Sequence, residues 1–282
     1  MSRDLSLAEI KLFEARVHHH FQQGTSKLRG KTRARTGVKA RQVQFPVMGI
    51  GIAKQKAPQD DVTPMNVTHA PVTCTLQDWY ASEYTDIFNN EAVNYDEREE
   101  LAITIAGALG RRLDQIMIAA VGAIATFAGV VDVNVGGATT NLNVAKLTAA
   151  ARVLDTKNVP AGDRYFVGHA KGKEALLNST QLTSADYNSV KALVNGEINS
   201  FMGFEFIWFG DLDEGGLTIA TNVREGFAFH KNALGQAIGA EVGAKVDWST
   251  DKLAWHTHGI IMAGGVAIDP TRGVVRVQSQ ET

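Results

Sequence analysis

The sequence has a single cysteine, Cys74, among 282 residues. One thiol cannot close a disulfide within the chain, which fits folding in a reducing cytoplasm. The amino-terminal residues contain no apolar run followed by a small-residue cleavage site, so we expect no signal peptide. These absences give secretion no support.

Long uncharged apolar runs are also missing. The most apolar stretch, residues 101–131, is long enough to cross a bilayer, but Arg111, Arg112 and Asp114 lie in its middle. We therefore expect a helix of a soluble protein and no membrane partner.

Motifs for catalysis and for metal binding are scarce as well. The sequence has no Gly-x-Ser-x-Gly elbow and no paired-cysteine zinc pattern. The consecutive His18, His19 and His20 do not share one face of a helix or strand, and His256 and His258 share a strand face but have no evident third ligand. We predict no catalytic residue, no cofactor and no metal site.

The charges that are present are distributed unevenly, although the formal net charge is only −2. Every charged side chain between Arg16 and Lys56 is a cation, and the first carboxylate after them is Asp60. Residues 24–37 have too few apolar side chains to support a core of their own. We expect residues 1–43 to form an extended arm whose cations include Lys27, Arg29, Lys31, Arg33, Arg35, Lys39 and Arg41.

Two strand-like runs follow the arm, one at residues 43–47 and one at residues 67–76, with the polar segment 55–63 between them. This pattern predicts a long hairpin. An acidic patch comes next and includes Glu83, Asp86, Glu91, Asp96 and Glu97.

The acidic patch leads into the strongest helix pattern of the chain, from about residue 94 to about residue 125. Asn94 is the expected cap, with Glu97 reaching back to it, and the carboxylates favour the positive end of the helix dipole. Apolar residues recur at three- and four-residue steps from Leu101 to Ile124. Such a helix would be roughly 45 Å long.

Short helices and strands alternate in the remainder of the chain, which indicates an α+β fold. Helices are expected from Val144 to Leu154 and from Lys171 to Leu177, with a strand at residues 165–167 between them. Further strands are expected at residues 204–209, 217–221, 226–229, 240–248, 252–261 and 274–277.

This order of elements resembles the major capsid protein of tailed phages, a fold also used by herpesvirus shells and encapsulins. The most specific similarity is the segment Gly196–Ile207, in which two glycines flank a short apolar turn before a strand. Val159-Pro160 before Arg164–Val167 is also similar, and Phe45–Gly49 followed by Asn94–Asp96 resembles the podovirus branch. Near the end, residues 264–277 resemble the closing strand of the family.

The resemblance implies a division into four parts. Residues 1–43 would be an arm that lies on an adjacent subunit, and residues 44–77 an extended hairpin loop. Residues 78–142 and 233–282 would form a peripheral domain around the long spine helix. Residues 143–232 would form the axial domain at the five- or six-fold axis.

The implied function is self-assembly into pentamers and hexamers of an icosahedral shell around the double-stranded DNA of a tailed phage. The expected partners are further copies of the chain, portal and scaffolding proteins, decoration proteins, and DNA bound without sequence specificity. Assembly would take place in the host bacterial cytoplasm and give the virion capsid. An encapsulin-type compartment is the alternative within this fold, and a hydrolase that uses the acidic cluster is the alternative outside it.

Two hypotheses concern contacts between subunits. The arm cations and the acidic patch are opposite in sign, which suggests a salt-bridged latch between neighbours, whereas the arm cations could instead contact packaged DNA. Trp79 and Tyr80 are either interface anchors or core residues at the base of the hairpin.

Overall fold

The structure, a computed structural model, describes residues 23–87, 96–179, 200–211, 216–217 and 219–281. Within these residues a long helix, α1 (Glu97–Gly122), packs against the first of two larger sheets and reaches the edge of the second. Its side chains Ile105, Leu109, Leu113, Met117 and Val121 are buried and follow one another at four-residue steps. This apolar stripe is the one that the sequence predicts.

The ends of α1 differ from the predicted ones. Its N-cap is Asp96 and not Asn94, because the Asp96 carboxylate accepts a hydrogen bond from the Arg98 amide (3.1 Å) and pairs with the Arg98 guanidinium (2.9 Å). Glu97 is therefore the first helical residue and cannot close the predicted capping box, while Asn94 lies outside the described residues. The helix ends at Gly122, since the chain then turns to meet the second sheet at Val274.

The predicted hairpin is present as β2 (Gln42–Met48) and β3 (His69–Thr75), which pair antiparallel. It begins two residues before the predicted boundary. The base of the hairpin is fixed by a small core in which Phe45 and Cys74 pack against Ala237 and Ile268. The rest of the hairpin projects away from this core.

The first large sheet consists of β1 (Arg33–Arg35), β11 (Leu234–Ser249), β12 (Ala254–Ala267) and β4 (Gln77–Asp86), in this spatial order. The β1 strand lies parallel to β11, and the other pairs are antiparallel. The arm was expected to lie on an adjacent subunit, but its described part, from residue 23 onwards, packs on its own subunit. Pairing of β1 with β11 supplies the backbone hydrogen bonds that an isolated arm would lack.

The second large sheet contains seven strands. The central order is β5 (Gly129–Val131), β13 (Val274–Gln280), β10 (Val223–His230), β6 (Arg164–His169), β8 (Phe204–Phe209) and β7 (Ser200–Phe201), and β9 (Ile219–Ala220) pairs with β10. Helices α2 (Val144–Thr156) and α3 (Ala170–Leu177) cover this sheet, and a one-turn helix, α4 (Pro270–Gly273), leads into β13.

The predicted domain boundaries at residues 142 and 232 divide this second sheet. Strands β5 and β13 lie outside residues 143–232, yet they pair with each other, and β13 pairs with β10. Hydrogen bonding between strands that are distant in sequence determines which strands belong to this sheet. A local sequence pattern does not predict such pairing.

A buried ion cluster holds the end of the described chain on the second sheet. Arg224 donates to both carboxylate oxygens of Glu281 at 2.9 Å and to Asp211 at 3.0 Å, and Glu281 also lies 2.9 Å from His169. Arg224 and Glu281 are each 3% exposed. The hydrogen bond from Arg224 is the main cause that lowers the pKa of Asp211. Breaking such a pair leaves a buried charge uncompensated, which costs about 3–5 kcal/mol.

No helix in the described ranges is long and apolar enough to cross a membrane.

The N-cap of α1 gives a direct test of this architecture. Replacing Asp96 with alanine should lower the free energy of unfolding by about 0.5–2 kcal/mol, because the first turn loses its carboxylate acceptor. Since the hydrogen bond from the Arg98 side chain lowers the pKa of Asp96 in the folded protein, this stabilisation is present above the pKa of an unfolded aspartate, about 3.9. It is lost as the pH falls through the lower folded-state value.

Chemical denaturation of wild type and Asp96→Ala at neutral and at acidic pH measures this difference. The two proteins should differ at neutral pH and converge under acid conditions. Glu99→Gln is the matched control in the same helical turn and should have a smaller effect that salt screens. An equal loss in both variants would contradict the specific role of Asp96.

Candidate functional site

The arm is fixed to the subunit by one buried carboxylate, that of Asp114 on α1, which is 0% exposed. It accepts hydrogen bonds from the Ser26 hydroxyl (2.6 Å) and from the backbone amides of Lys27 (2.9 Å) and Leu28 (3.0 Å). The side chain of Gln23 also donates to it. We call this set of contacts the arm clamp.

Two glycines of α1 allow the arm to approach the helix backbone. A Cβ atom at Gly110 would lie 3.1 Å from the Ser26 nitrogen, and one at Gly107 would lie 3.5 Å from the carbonyl oxygen of Gln23. That carbonyl accepts a hydrogen bond from Arg111 at 2.9 Å. Gly107, Gly110 and Asp114 lie on one helical face because they are three and four residues apart.

Sequence reasoning used Asp114 only to exclude a membrane helix and missed its role. A signal was available, since Asp114 is the only carboxylate between Leu101 and Gly122 and lies on the same face as two mid-helix glycines. Glycine inside a helix costs about 1 kcal/mol relative to alanine, so two of them on one face indicate a close contact.

Three of the predicted arm cations are already engaged within their own subunit. Arg29 makes a two-pronged pair with Glu241 at 2.6 and 2.8 Å, which raises the pKa of Arg29. Lys31 pairs with Glu205, and its ammonium lies 5.0 Å from the ring centre of Tyr165. The Lys27 ammonium donates to a backbone carbonyl, that of Trp208, at 2.7 Å.

The other four arm cations are more open. Arg41 pairs with Asp78 at 2.9 Å, and both side chains are largely exposed. Arg33 lies over the ring of Phe45 at 5.8 Å, while Arg33, Arg35 and Lys39 are all exposed. These last three have no carboxylate partner among the described residues.

The acidic patch is only partly brought together. Glu83 and Asp86 lie on β4 with exposed side chains, and Asp96 and Glu97 begin α1. Glu91 lies outside the described residues. Asp96 pairs with Arg98 on its own helix.

The two aromatic candidates differ from each other. Trp79 is half-buried against α1, and the Arg112 guanidinium stacks 3.5 Å from its ring centre. Tyr80 is 79% exposed. Trp79 therefore has the surroundings of a core residue, whereas Tyr80 is open to solvent, and its role as an interface anchor stays a prediction.

The projecting hairpin exposes apolar side chains that sequence reasoning did not single out. Met48, Ile50, Ile52, Val62 and Met65 are 58–77% exposed. A cluster of this kind on a free surface is a recognised sign of a contact with another protein. The hairpin thus exposes apolar side chains over much of its length beyond β2 and β3.

The histidines do not form a metal centre in the described residues, where no group of three suitable ligands is close enough. His256 and His258 stack on each other at 5.0 Å, and Tyr84 stacks on His256 at 4.4 Å. His18, His19 and His20 lie outside the described residues.

Solved structures of similar fold were compared with this geometry. The capsid of the cyanophage P-SCSP1u matches with a TM-score of 0.74 at 18% identity over 98% of this chain and 94% of that one. The capsid of Ralstonia phage GP4 matches with a TM-score of 0.74 at 8% identity over 100% and 99% of the two chains. The head of Helicobacter pylori bacteriophage KHP40 matches with a TM-score of 0.73 at 11% identity over 99% of each. A search of curated proteins found no match.

These neighbours define the fold as that of phage capsid subunits, and none of the three is an encapsulin, so that alternative gains no support from them. The phage capsid protein family matches residues 5–281, and the chain belongs to this family. It is a structural protein, a major capsid protein that assembles with copies of itself into the icosahedral shell of the virion.

The arm clamp can be tested by removing its acceptor. Asp114→Ala leaves the buried amide of Leu28 and its neighbours without a partner, at roughly 1–3 kcal/mol for each lost group. The arm should detach, and trypsin should then cut after Lys27 and Arg29 far faster than in the wild type. Limited proteolysis followed by mass spectrometry measures this change.

Ser26→Ala is the matched control, since it removes one of the four donors and leaves the carboxylate in place. It should give only a modest increase in cleavage. Unchanged protection of the arm in Asp114→Ala would show that the clamp does not hold it.

Proposed function

We propose that the subunits form pentamers and hexamers through the axial domain, residues 143–232, and that these capsomers enclose the double-stranded DNA genome of a tailed phage. The arm (residues 1–43) and the extended hairpin loop (residues 44–77) tie neighbouring subunits together. Portal, scaffolding and decoration proteins complete the particle, which assembles in the host bacterial cytoplasm.

The observation that carries this proposal is the uncovered apolar surface of the hairpin. Its own subunit covers only the base, at Phe45 and Cys74, and leaves the side chains beyond Met48 exposed. Burying such side chains stabilises by about 25 cal/mol for each Å² of apolar surface. A neighbouring copy supplies the missing cover.

The first large sheet supports a head-to-tail arrangement of copies. Its two edge strands differ in charge, because β1 carries Arg33 and Arg35 while β4 carries Glu83 and Asp86. Strands β11 and β12 separate these edges by about 14 Å at the usual strand spacing. The opposite charges therefore meet more readily between two copies than within one, and such heterologous contacts close into rings.

In this latch, Arg33, Arg35 and Lys39 of one subunit face Glu83, Asp86, Asp96 and Glu97 of the next. Arg29, Lys31 and Arg41, and likewise Asp96, contribute less, because they have ion-pair partners in their own subunit. Exposed ion pairs stabilise by only about 0–1 kcal/mol each. Their repetition around a closed shell makes the sum significant and sensitive to salt.

A second candidate role uses the same three cations. Arg33, Arg35 and Lys39 are exposed and unpaired within the described residues, so they can contact the phosphates of packaged DNA, which requires no sequence code. This role predicts a defect in DNA retention rather than in assembly.

Charge reversal separates the two roles. The variant with Arg33→Glu, Arg35→Glu and Lys39→Glu should no longer form shells if these cations pair with a neighbour, because like charges then face each other. Adding Glu83→Lys, Asp86→Lys and Glu97→Lys should restore assembly. Sucrose-gradient sedimentation and electron microscopy measure the yield of shells.

If the first variant instead forms a normal yield of shells that lose DNA, the DNA contact is correct and the latch is wrong. Circular dichroism of the unassembled subunit serves as the folding control. Wild-type protein that stays monomeric, alone and with its assembly partners, would contradict the proposed assembly as a whole.

A further inference from the structure

A cleft of about 560 Å³ lies beside the second half of α1, between the two large sheets. Arg112 and Ala119 line it from α1, while Phe227 and Arg276 line it from strands β10 and β13 of the second sheet. Its volume is within the range of sites that bind small organic molecules, about 300–1,000 Å³. The residues of the arm clamp do not take part in its wall.

Both guanidinium groups of the cleft lie over aromatic rings. Arg112 is 3.5 Å from the ring centre of Trp79, and Arg276 is 5.9 Å from that of Phe127. A ring covers only one face of a guanidinium group, so the N–H groups along its edge still point outward in the plane. This is the arrangement in which arginine binds a carboxylate or phosphate with two parallel hydrogen bonds.

The charges that line the cleft do not balance. Arg276 pairs with Glu225, whereas Arg112 has no carboxylate partner among the described residues and donates only to the Gln115 side chain, at 2.8 Å. The two arginines and one glutamate of the lining therefore leave one net positive charge. A partly buried cation without a partner is costly, so an anion in the cleft would be stabilising.

Hydrogen-bond donors are also in excess around the cleft. Trp79 Nε1, Arg112 Nε and Arg276 Nε are each buried without an acceptor in the described chain, while no side-chain oxygen of the described lining is buried and unpaired. The unpaired N–H dipoles add to the field of the two guanidinium groups. A cleft that is lined by one sign of charge concentrates this field and attracts the opposite charge.

Most of the remaining wall is apolar and includes Ile116, Ala119, Phe127 and Phe227. An inorganic ion would leave this part of the wall in contact with water. A ligand that also has an apolar body would cover it and gain the hydrophobic contribution of the buried area. The cleft is therefore suited to a molecule that has an oxyanion at one end and an apolar body at the other.

We infer that this cleft binds a small organic anion, with its carboxylate or phosphate group at Arg112 and its apolar body against Phe127 and Phe227. Because Arg112 belongs to α1 and Phe227 to the second sheet, the ligand contacts both and stabilises their packing. Binding to the folded state alone raises the free energy of unfolding. This site goes beyond the proposed assembly and does not depend on it.

Titration of the unassembled wild-type subunit tests the inference by isothermal calorimetry and by thermal unfolding. The probes are naphthyl phosphate and naphthoate, which combine a flat apolar body with either of the two oxyanions. At least one of them should bind and raise the unfolding temperature, and the tighter one identifies the preferred oxyanion. Inorganic phosphate and naphthol, which each lack one part of the ligand, should bind about tenfold more weakly or less.

Two variants locate the binding at the cleft. Ala119→Trp places an indole in the cleft from an exposed position and should abolish binding, whereas Ala125→Trp, at an exposed position outside the lining, should leave it unchanged. Arg112→Gln should weaken binding by about tenfold or more through the loss of a charge-assisted hydrogen bond. Arg152→Gln, an exposed arginine on α2, is its matched control.

Circular dichroism of each variant serves as the folding control, and the two variants fail independently of each other. Wild-type affinity in a folded Ala119→Trp or Arg112→Gln chain would overturn the site. So would inorganic phosphate that binds as tightly as naphthyl phosphate, or the absence of binding by both organic anions. Each of these results would leave the proposed assembly of shells intact.

Discussion

The hydrogen bonds to the buried Asp114 carboxylate are the constraint on which the rest of the subunit depends. They fix residues 23–28 on α1 and so determine where β1 can join the first sheet. The same helix buries its apolar stripe against that sheet and meets the second sheet at Met117 and Val121. One helix therefore positions the arm and both sheets relative to one another.

The hairpin and the two edges of the first sheet are not covered by other parts of the described chain. The hairpin is held at its base by Phe45 and Cys74 and is bare towards its tip, while the two edges of the first sheet carry charges of opposite sign. A monomer leaves these surfaces exposed to water. Their geometry suits a protein that repeats one heterologous contact around a closed shell, in which weak contacts sum to a stable particle.

Local sequence patterns determined much of the fold. The apolar stripe of α1, the two strands of the hairpin and the strand at residues 204–209 all follow from side-chain periodicity, and the structure confirms them. The order of these elements also resembled that of the phage capsid family, and the family match confirms this resemblance. These features depend on local side-chain periodicity or on the order of elements along the chain, so they can be predicted from a single sequence.

Tertiary structure decided the contacts between distant segments. Only the folded chain shows that Asp114 holds the arm, that Arg29 and Lys31 pair with Glu241 and Glu205, and that β13 joins the second sheet. A charged residue has many possible partners along the sequence. Which ion pair forms depends on which segments lie next to each other after the chain has packed. The sequence by itself thus determined the elements and showed the family resemblance, whereas packing decided which charges are paired within the subunit.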